Sequence, residues 1–184
     1  MTSQSESDLV VDTGPLSHLA EAGWLSVLRS VAGTRTVIIT DAVVAELRQG
    51  LHANPHLQQV LDCGWIVRRS LSTTAELAAF AQFAGRLVAG SRNLGEAEVL
   101  AYAQVHGATA VIDDGAGRKA ARDAGVDLQP TLALLCHAIR DGLLTVPMVS
   151  DLADHLLETK YRLPFENGGF EDWANRNGLV PPPT

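Results

Sequence analysis

At 184 residues the chain has the length of one domain, whose core can bury roughly 70% of the unfolded surface, and a second domain is not expected. Hydrophobic residues make up 46% and charged residues 19%, which excludes a disordered or fibrous chain. A net charge of -7 excludes a protein that coats nucleic acid through a broad basic surface, yet it permits a local basic site and suits carboxylates that bind cations.

No apolar run approaches the ~18 residues of a spanning helix, and Met1 to Asp8 lacks the charged-then-apolar pattern of a secretory signal. A cytoplasmic protein without membrane association is expected. Cys63 and Cys136 form neither a disulfide framework nor a Cys-x-x-Cys pair, and are read as reduced, small core residues.

In chain order, Leu9 to Val11 is a short apolar strand ending at Asp12, and Pro15 opens a helix running to about Val31. Val37 to Ile39 is a second strand; Thr40 and Asp41 are N-cap candidates for a helix that carries Val43, Val44 and Leu47 and stops at Gly50. Leu57 to Leu61 reads as a helix and Trp65 to Val67 as a third strand. Thr73 and Glu76 have capping-box spacing ahead of a helix with Leu77, Phe80, Phe83 and Leu87. A helix from Gly95 to His106 follows, then a strand from Thr109 to Ile112 ending at Asp113 and Asp114, and a helix over Gly117 to Ala124. Val126 to Leu128 is a candidate last strand, with closing helices over Thr131 to Arg140 and Val149 to Thr159. This alternation predicts an α/β fold, a parallel sheet sandwiched between helices in three layers. The domain is expected over residues 8–160 and a tail over 161–184, with frayed ends.

Ligands in open parallel sheets bind outside the carboxyl ends of the strands. Asp12 and Asp113 each follow an apolar run directly, Glu46 lies one to two turns into the helix after the second strand, and Glu96 is in the first turn of its helix. Singly, each acid has an ordinary explanation: a cap for Asp114, a solvated face for Glu46, a helix dipole for Glu96. Together, acids at two strand ends and two helices face one crevice. Two carboxylates ~4 Å apart repel by about 4 kcal/mol at an effective dielectric of ~20. Mg2+ or Mn2+ removes that repulsion and prefers hard oxygen ligands together with substrate phosphates, so the expected chemistry is phosphodiester hydrolysis.

Four segments, VVDTGPL from Val10, VVAEL from Val43, LGEAEVLAYA from Leu94 and VIDDGAGRKAA from Val111, occur in an order that resembles the PIN-domain family, particularly the small toxins of prokaryotic toxin–antitoxin pairs. The resemblance covers roughly the first three quarters of the chain. It implies a parallel sheet flanked by helices and an acidic quartet of Asp12, Glu46, Glu96 and Asp113. Thr13 is implied as a neighbouring ligand- or water-orienting residue. With it come an RNA substrate, a cognate antitoxin and a homodimer, for which helices such as Leu77 to Leu87 offer a face. Asp12, Glu96, Asp113 and Asp114 are the expected metal ligands, with Asp113 the principal acid at its strand end and Asp114 an N-cap for Ala116 or Gly117. Attack on phosphorus by a metal-activated water is the expected mechanism.

Arg118, Lys119 and Arg122 follow the last acids at a spacing that puts at least two on one helical face, where they can meet substrate phosphates. The tail is longer than in the smallest toxins and mixes Lys160, Tyr161, Arg162, Phe165, Phe170 and Trp173, a set suited to packing, base stacking or partner binding. Competing readings are a PIN-like binding module without catalysis and a magnesium-dependent aspartyl phosphoryl-transfer enzyme, although Asp12-Thr13-Gly14 lacks the Asp-x-Asp of the haloacid-dehalogenase type. His52 and His56 have i, i+4 spacing, but Pro55 interrupts the helix that would align them on zinc. Ser17 and His18 match no nucleophile motif.

Overall fold

β1 (Leu9–Val11) is apolar throughout because it is buried on both faces: all three residues have 0% exposure. In the computed structural model, which describes residues 7–87 and 93–180, it lies at the centre of a four-stranded parallel sheet. β2 (Val37–Thr40) flanks it on one side, with Leu9 opposite Val37, and β4 (Thr109–Val111) on the other, with Leu9 opposite Thr109. β3 (Ile66–Arg69) pairs with β2 and closes one edge, giving the order β3-β2-β1-β4. Its exposed Arg68 and Arg69 put charge on that edge, and Arg68 donates to Asp41 at 2.6 Å. The three-layer parallel α/β architecture expected from the sequence is the one observed.

The first helix differs from expectation. Instead of one helix to Val31 there are two, α1 (Thr13–Glu21) and α2 (Leu25–Ala32). Gly23 between them adopts φ +78°, and the Trp24 N–H reaches back to Leu19 O at 2.8 Å, so the chain turns out of α1 through a left-handed glycine. α3 (Asp41–Gly50) and α4 (Leu57–Leu61) follow β2 and lead to β3, which lies one to two residues later than Trp65 to Val67 suggested.

α5 (Thr74–Leu87) starts at the expected capping box: the Thr73 N–H donates to Glu76 Oε2 at 2.7 Å, and the Glu76 N–H donates to Thr73 Oγ1 at 3.2 Å. α6 (Leu94–His106) packs along α5 and across the sheet, and its Ala97, Val99, Leu100 and Ala101 are fully buried. α7 (Gly115–Ala124) begins two residues earlier than Gly117, capped by Asp114.

The strand expected over Val126 to Leu128 is reduced to a single parallel bridge, Ala110 with Leu128. Between Gly125, which ends α7 at φ +67°, and Pro130 before α8 (Thr131–Arg140), the chain pairs with β4 only at Ala110, whose N–H donates to Asp127 O and whose O accepts the Gln129 N–H, both at 2.9 Å. α9 (Val146–Glu158) starts three residues before Val149, because the Thr145 hydroxyl accepts the Met148 N–H and Pro147 suits the first turn. A helix that the hydrophobic pattern did not suggest, α10 (Phe170–Arg176), packs on α9 through Phe170 and Ala174, both at 0% exposure. Residues 161–180 thus lie folded against the domain. The expectation of frayed ends falls on residues 1–6 and 181–184, outside the described residues. Cys136 is buried and Cys63 half-buried against the core, and both are free thiols. His52 and His56 are both exposed. Among the described residues no helix is long and apolar enough to cross a membrane.

Candidate metal and nuclease site

The carboxyl ends of β1 and β4 are neighbours, and the Asp12 N–H donates to Val111 O at 3.0 Å, so the first residue beyond each strand enters the same crevice. Asp12 caps α1, its carboxylate turned toward the Gly14 N–H at a long 3.5 Å, and only 7% of the residue is exposed. Burial pushes its carboxyl up to about 7; the backbone N–H groups of Thr13 and Gly14 oppose that shift, and the charges of Glu46 and Asp113 add to it.

Glu46 is brought to this point by α3 and held there by two donors. The Thr13 hydroxyl donates to Oε2, and the Gly95 N–H donates to Oε1 at 2.9 Å. That second contact requires glycine: a Cβ on Gly95 would lie 2.7 Å from Glu46 Oε2. Asn93, in the left-handed region at φ 64°, delivers the chain into α6.

Glu96 is then the second residue after the α6 start and is also 7% exposed. Its Oε2 is buried and accepts no hydrogen bond among the described residues. Burial first, then the charges of Asp12, Asp114 and Glu46, push its carboxyl up to about 8. α7 can pass this close only because residue 117 is glycine: a Cβ there would stand 2.8 Å from Ile112 Cγ2 and 3.0 Å from Glu96 Oε2.

Asp113 and Asp114 have different partners. Asp113 accepts the Thr131 N–H at 2.8 Å on Oδ1 and the Thr131 hydroxyl at 2.7 Å on Oδ2, so it is tied to the first residue of α8. The Tyr161 phenol also bonds to it, and burial followed by the Asp113 charge raises the tyrosine well above its ordinary range. Asp114 is the N-cap of α7, accepting the Ala116 N–H at 2.7 Å, one of the two donors expected for it. Asp12, Glu46 and Glu96 therefore lie within mutual electrostatic reach, with Asp113 beside Asp12 and Asp114 beside Glu96.

The chemistry of this donor set would suit a divalent cation. Hard carboxylate oxygens dominate, two acids are forced toward the protonated form by burial and by neighbouring carboxylates, and Glu96 Oε2 is left without a partner. Among the described residues no group of three side chains stands close enough to enclose an ion as placed. That is compatible with Mg2+, which usually keeps several waters and takes one or two carboxylates.

Of the three basic residues after these acids, only Arg118 turns inward, lining a cavity beside Asp113. Lys119 forms an exposed i, i+4 pair with Asp123 at 2.6 Å, and Arg122 is exposed. Sequence reasoning named Thr131 only as a helix start and Tyr161 only among the aromatic and basic residues of the tail, not as partners of Asp113. Pro130-Thr131 marked a helix start, but which carboxylate its free N–H meets depends on tertiary placement. Glu98 was also missed; it accepts the Ala42 N–H at 2.7 Å and satisfies the first turn of α3 from across the crevice.

No curated protein matches the chain in sequence. Among solved structures, a chain of VapBC2 from Rickettsia felis, crystallised bound to a DNA fragment from their promoter, aligns with TM-score 0.50 and 17% identity over 66% of this chain and 97% of that one. At that identity the likeness shows the fold. A family model for the PIN domain matches residues 8–166, and those residues include β1 to β4, all five acids and the glycines that let α6 and α7 approach them. The chain belongs to the PIN-domain family.

Proposed function

We propose that the chain is a metal-dependent endoribonuclease and the toxin of a toxin–antitoxin pair. The observation that carries the chemistry is the buried pair Asp12 and Glu96, both pushed toward neutrality, with Glu96 Oε2 unpartnered at the carboxyl end of a parallel sheet. Such a pair is costly unless a cation or a proton offsets it.

Asp12 and Glu96 would supply the carboxylate oxygens for Mg2+ or Mn2+, with Asp113 and Asp114 as outer ligands through water. The bound ion would supply charge stabilisation to the phosphodiester and acidity to a water. Glu46 has both oxygens oriented, by Thr13 and by Gly95, so its remaining lone pairs are fixed to hold that water and accept its proton. Tyr161 and Thr131 hold Asp113 in one rotamer at the edge of the site.

The partner reading rests on the solved VapBC2 structure from Rickettsia felis, bound to a DNA fragment from their promoter. Self-association is proposed through the α5 side of the molecule, where Leu77 is 51% exposed; sedimentation showing only monomer at tens of micromolar, a range chosen for weak interfaces, would contradict it. The test of the chemistry is cleavage of RNA by the purified chain with Mn2+ or Mg2+ and with chelator. Cleavage should require the metal and be lost in Asp12→Asn, which retains a good N-cap for α1. Full activity in that variant, with contaminating nuclease excluded, would refute the assignment.

A further inference from the structure

Asp113 has a second neighbour besides the acid cluster. It forms part of the wall of a cavity of about 580 Å3 enclosed by α7, α8 and the segment from Tyr161 to Leu179. This size lies within the range of sites that hold a small organic ligand. In a chain of net charge -7, three guanidinium groups, Arg118, Arg140 and Arg162, line this one space together with His137. None of the three arginines has an acidic partner within salt-bridge distance among the described residues, and the buried Nε of Arg118 donates no hydrogen bond. Planar donors left free around a concave site match the oxygens of a phosphate.

The rest of the lining is aromatic and aliphatic. Trp173 is fixed from behind by Phe165, ring centroids 5.3 Å apart, and by Phe170 at 6.4 Å, which makes it a rigid platform at small entropic cost. Leu132, Leu163 and Leu179 add apolar surface to the same space. Trp173 and Leu179 lie beyond residue 166, where the family match ends, so this wall is contributed by the chain's own C-terminal segment.

We propose that this cavity is a nucleotide subsite: it takes one unstacked nucleotide of single-stranded RNA next to the scissile phosphate, with the phosphate on Arg118, Arg140 and Arg162 and the base on Trp173. The identity of the ligand as RNA rests on the nuclease reading above. The placement rests on the cavity itself, since Asp113 belongs to both its wall and the acid cluster. A sequence-tolerant stacking surface and free guanidiniums are the combination by which single strands are held.

The test uses the full chain carrying Asp12→Asn, in Mn2+, with a fluorescein-labelled oligoadenylate of about ten nucleotides, a span typical of single-strand sites. Dissociation constants are measured across a salt series for that protein and for two further variants, Trp173→Ala and the pair Arg140→Gln with Arg162→Gln. Trp173→Ala should weaken binding about tenfold, the loss of one stacked base. The arginine pair should flatten the salt dependence by about 0.7 in log–log slope per phosphate contact removed. Both arginines are exposed, so the pair keeps the test valid should Trp173→Ala unfold the C-terminal segment. Unchanged affinity and slope in the arginine pair, or no binding of the oligonucleotide before either change, would overturn the subsite. If the chain with Asp12 intact cleaves no RNA while the cavity variants still lose binding, the nuclease reading fails and the subsite stands.

Discussion

The sharpest test of the acid cluster is the pH dependence of stability without metal. In the folded chain the Asp12 carboxyl lies at about 7 instead of 3.8, and that of Glu96 at about 8 instead of 4.5. Both shifts are upward, so the folded form binds more protons than the unfolded form through this window. The cluster costs nothing below the ordinary carboxyl pKa values, and its cost is complete once pH has risen through 7 and 8. A shift of about three units at ~1.4 kcal/mol each gives roughly 4 kcal/mol for either acid alone. The two do not simply add, because part of the Glu96 shift is the charge of Asp12 and both feel Glu46. At 2–4 °C per kcal/mol for a domain of this size, Tm in chelator should fall by on the order of 10 °C between pH 5 and 8.5. Mn2+ at a hundredfold excess over its Kd should restore about 2.7 kcal/mol at the upper pH. Asp12→Asn removes one charge and relieves Glu96, so in chelator at pH 8.5 it should melt above the parent while gaining less from Mn2+. A parent Tm that is flat with pH in chelator, or an Asn variant that melts no higher, would refute the repulsion on which the metal assignment rests.

Gly117→Ala should destabilise the fold by about 1–3 kcal/mol, because its Cβ meets Ile112 and Glu96, whereas Gly115→Ala, whose Cβ meets nothing within 4 Å, should be neutral or mildly stabilising; thermal melts of the two variants check this. The Glu76 carboxyl, held down at about 2 by His106 and by the Thr73 and Ser72 N–H groups, contributes stability that is present above pH 4.5 and lost as pH falls toward 2; Glu76→Gln keeps the capping geometry and should flatten that acid limb in a pH series of melts. Asp114→Asn should cost little stability, since asparagine also caps a helix, and should leave most RNA cleavage, whereas Asp113→Asn should lower cleavage more; loss of cleavage in the Asp114 variant alone would move the fourth acid by one residue.

The sheet was legible because a central parallel strand must be apolar on both faces, so Leu9-Val10-Val11 and Val37-Ile38-Ile39 are unbroken hydrophobic runs that end at polar residues. The α5 start was legible because its cap is local: Thr73 and Glu76 are three residues apart. What the sequence hid depends on tertiary placement. Gly23 stands inside an apolar period, and only its left-handed φ turns one helix into two. α10 has seven residues, too short for a periodicity, and its place is set by Phe170 entering the core. In the site, acids at strand ends were visible as residues after apolar runs, whereas Thr131 and Tyr161 reach Asp113 from 18 and 48 positions away in the chain, which local spacing does not encode.

Four of the five acids share a further property that explains how the metal-free fold tolerates them. Asp12 caps α1 and Asp114 caps α7; Glu46 accepts an N–H from the first turn of α6, and Asp113 accepts the first N–H of α8. Four helix N-termini therefore point into the crevice, each equivalent to roughly half a positive charge and contributing about 0.3–1 kcal/mol to a nearby carboxylate. Against a repulsion of about 4 kcal/mol for a close carboxylate pair at an effective dielectric of ~20, the dipoles offset part of the cost and leave a remainder. The remainder is unevenly distributed. Glu46 receives two protein donors and Asp113 three, all from other segments, while Asp12 is met only by the Thr13 and Gly14 N–H groups of its own cap and Glu96 Oε2 by none. The acids held by donors from other segments are fixed in orientation, as a residue that positions a water must be; Asp12, held only by its own cap, and Glu96 are the ones for which a cation replaces a missing partner. That division predicts that Asp12 and Glu96 substitutions sharply reduce metal-induced stabilisation, whereas Glu46→Gln leaves much of it intact and loses cleavage. Melts with and without Mn2+ on the three variants decide it, and equal loss of the metal-induced shift in all three would show that the donors of Thr13 and Gly95 do not set Glu46 apart.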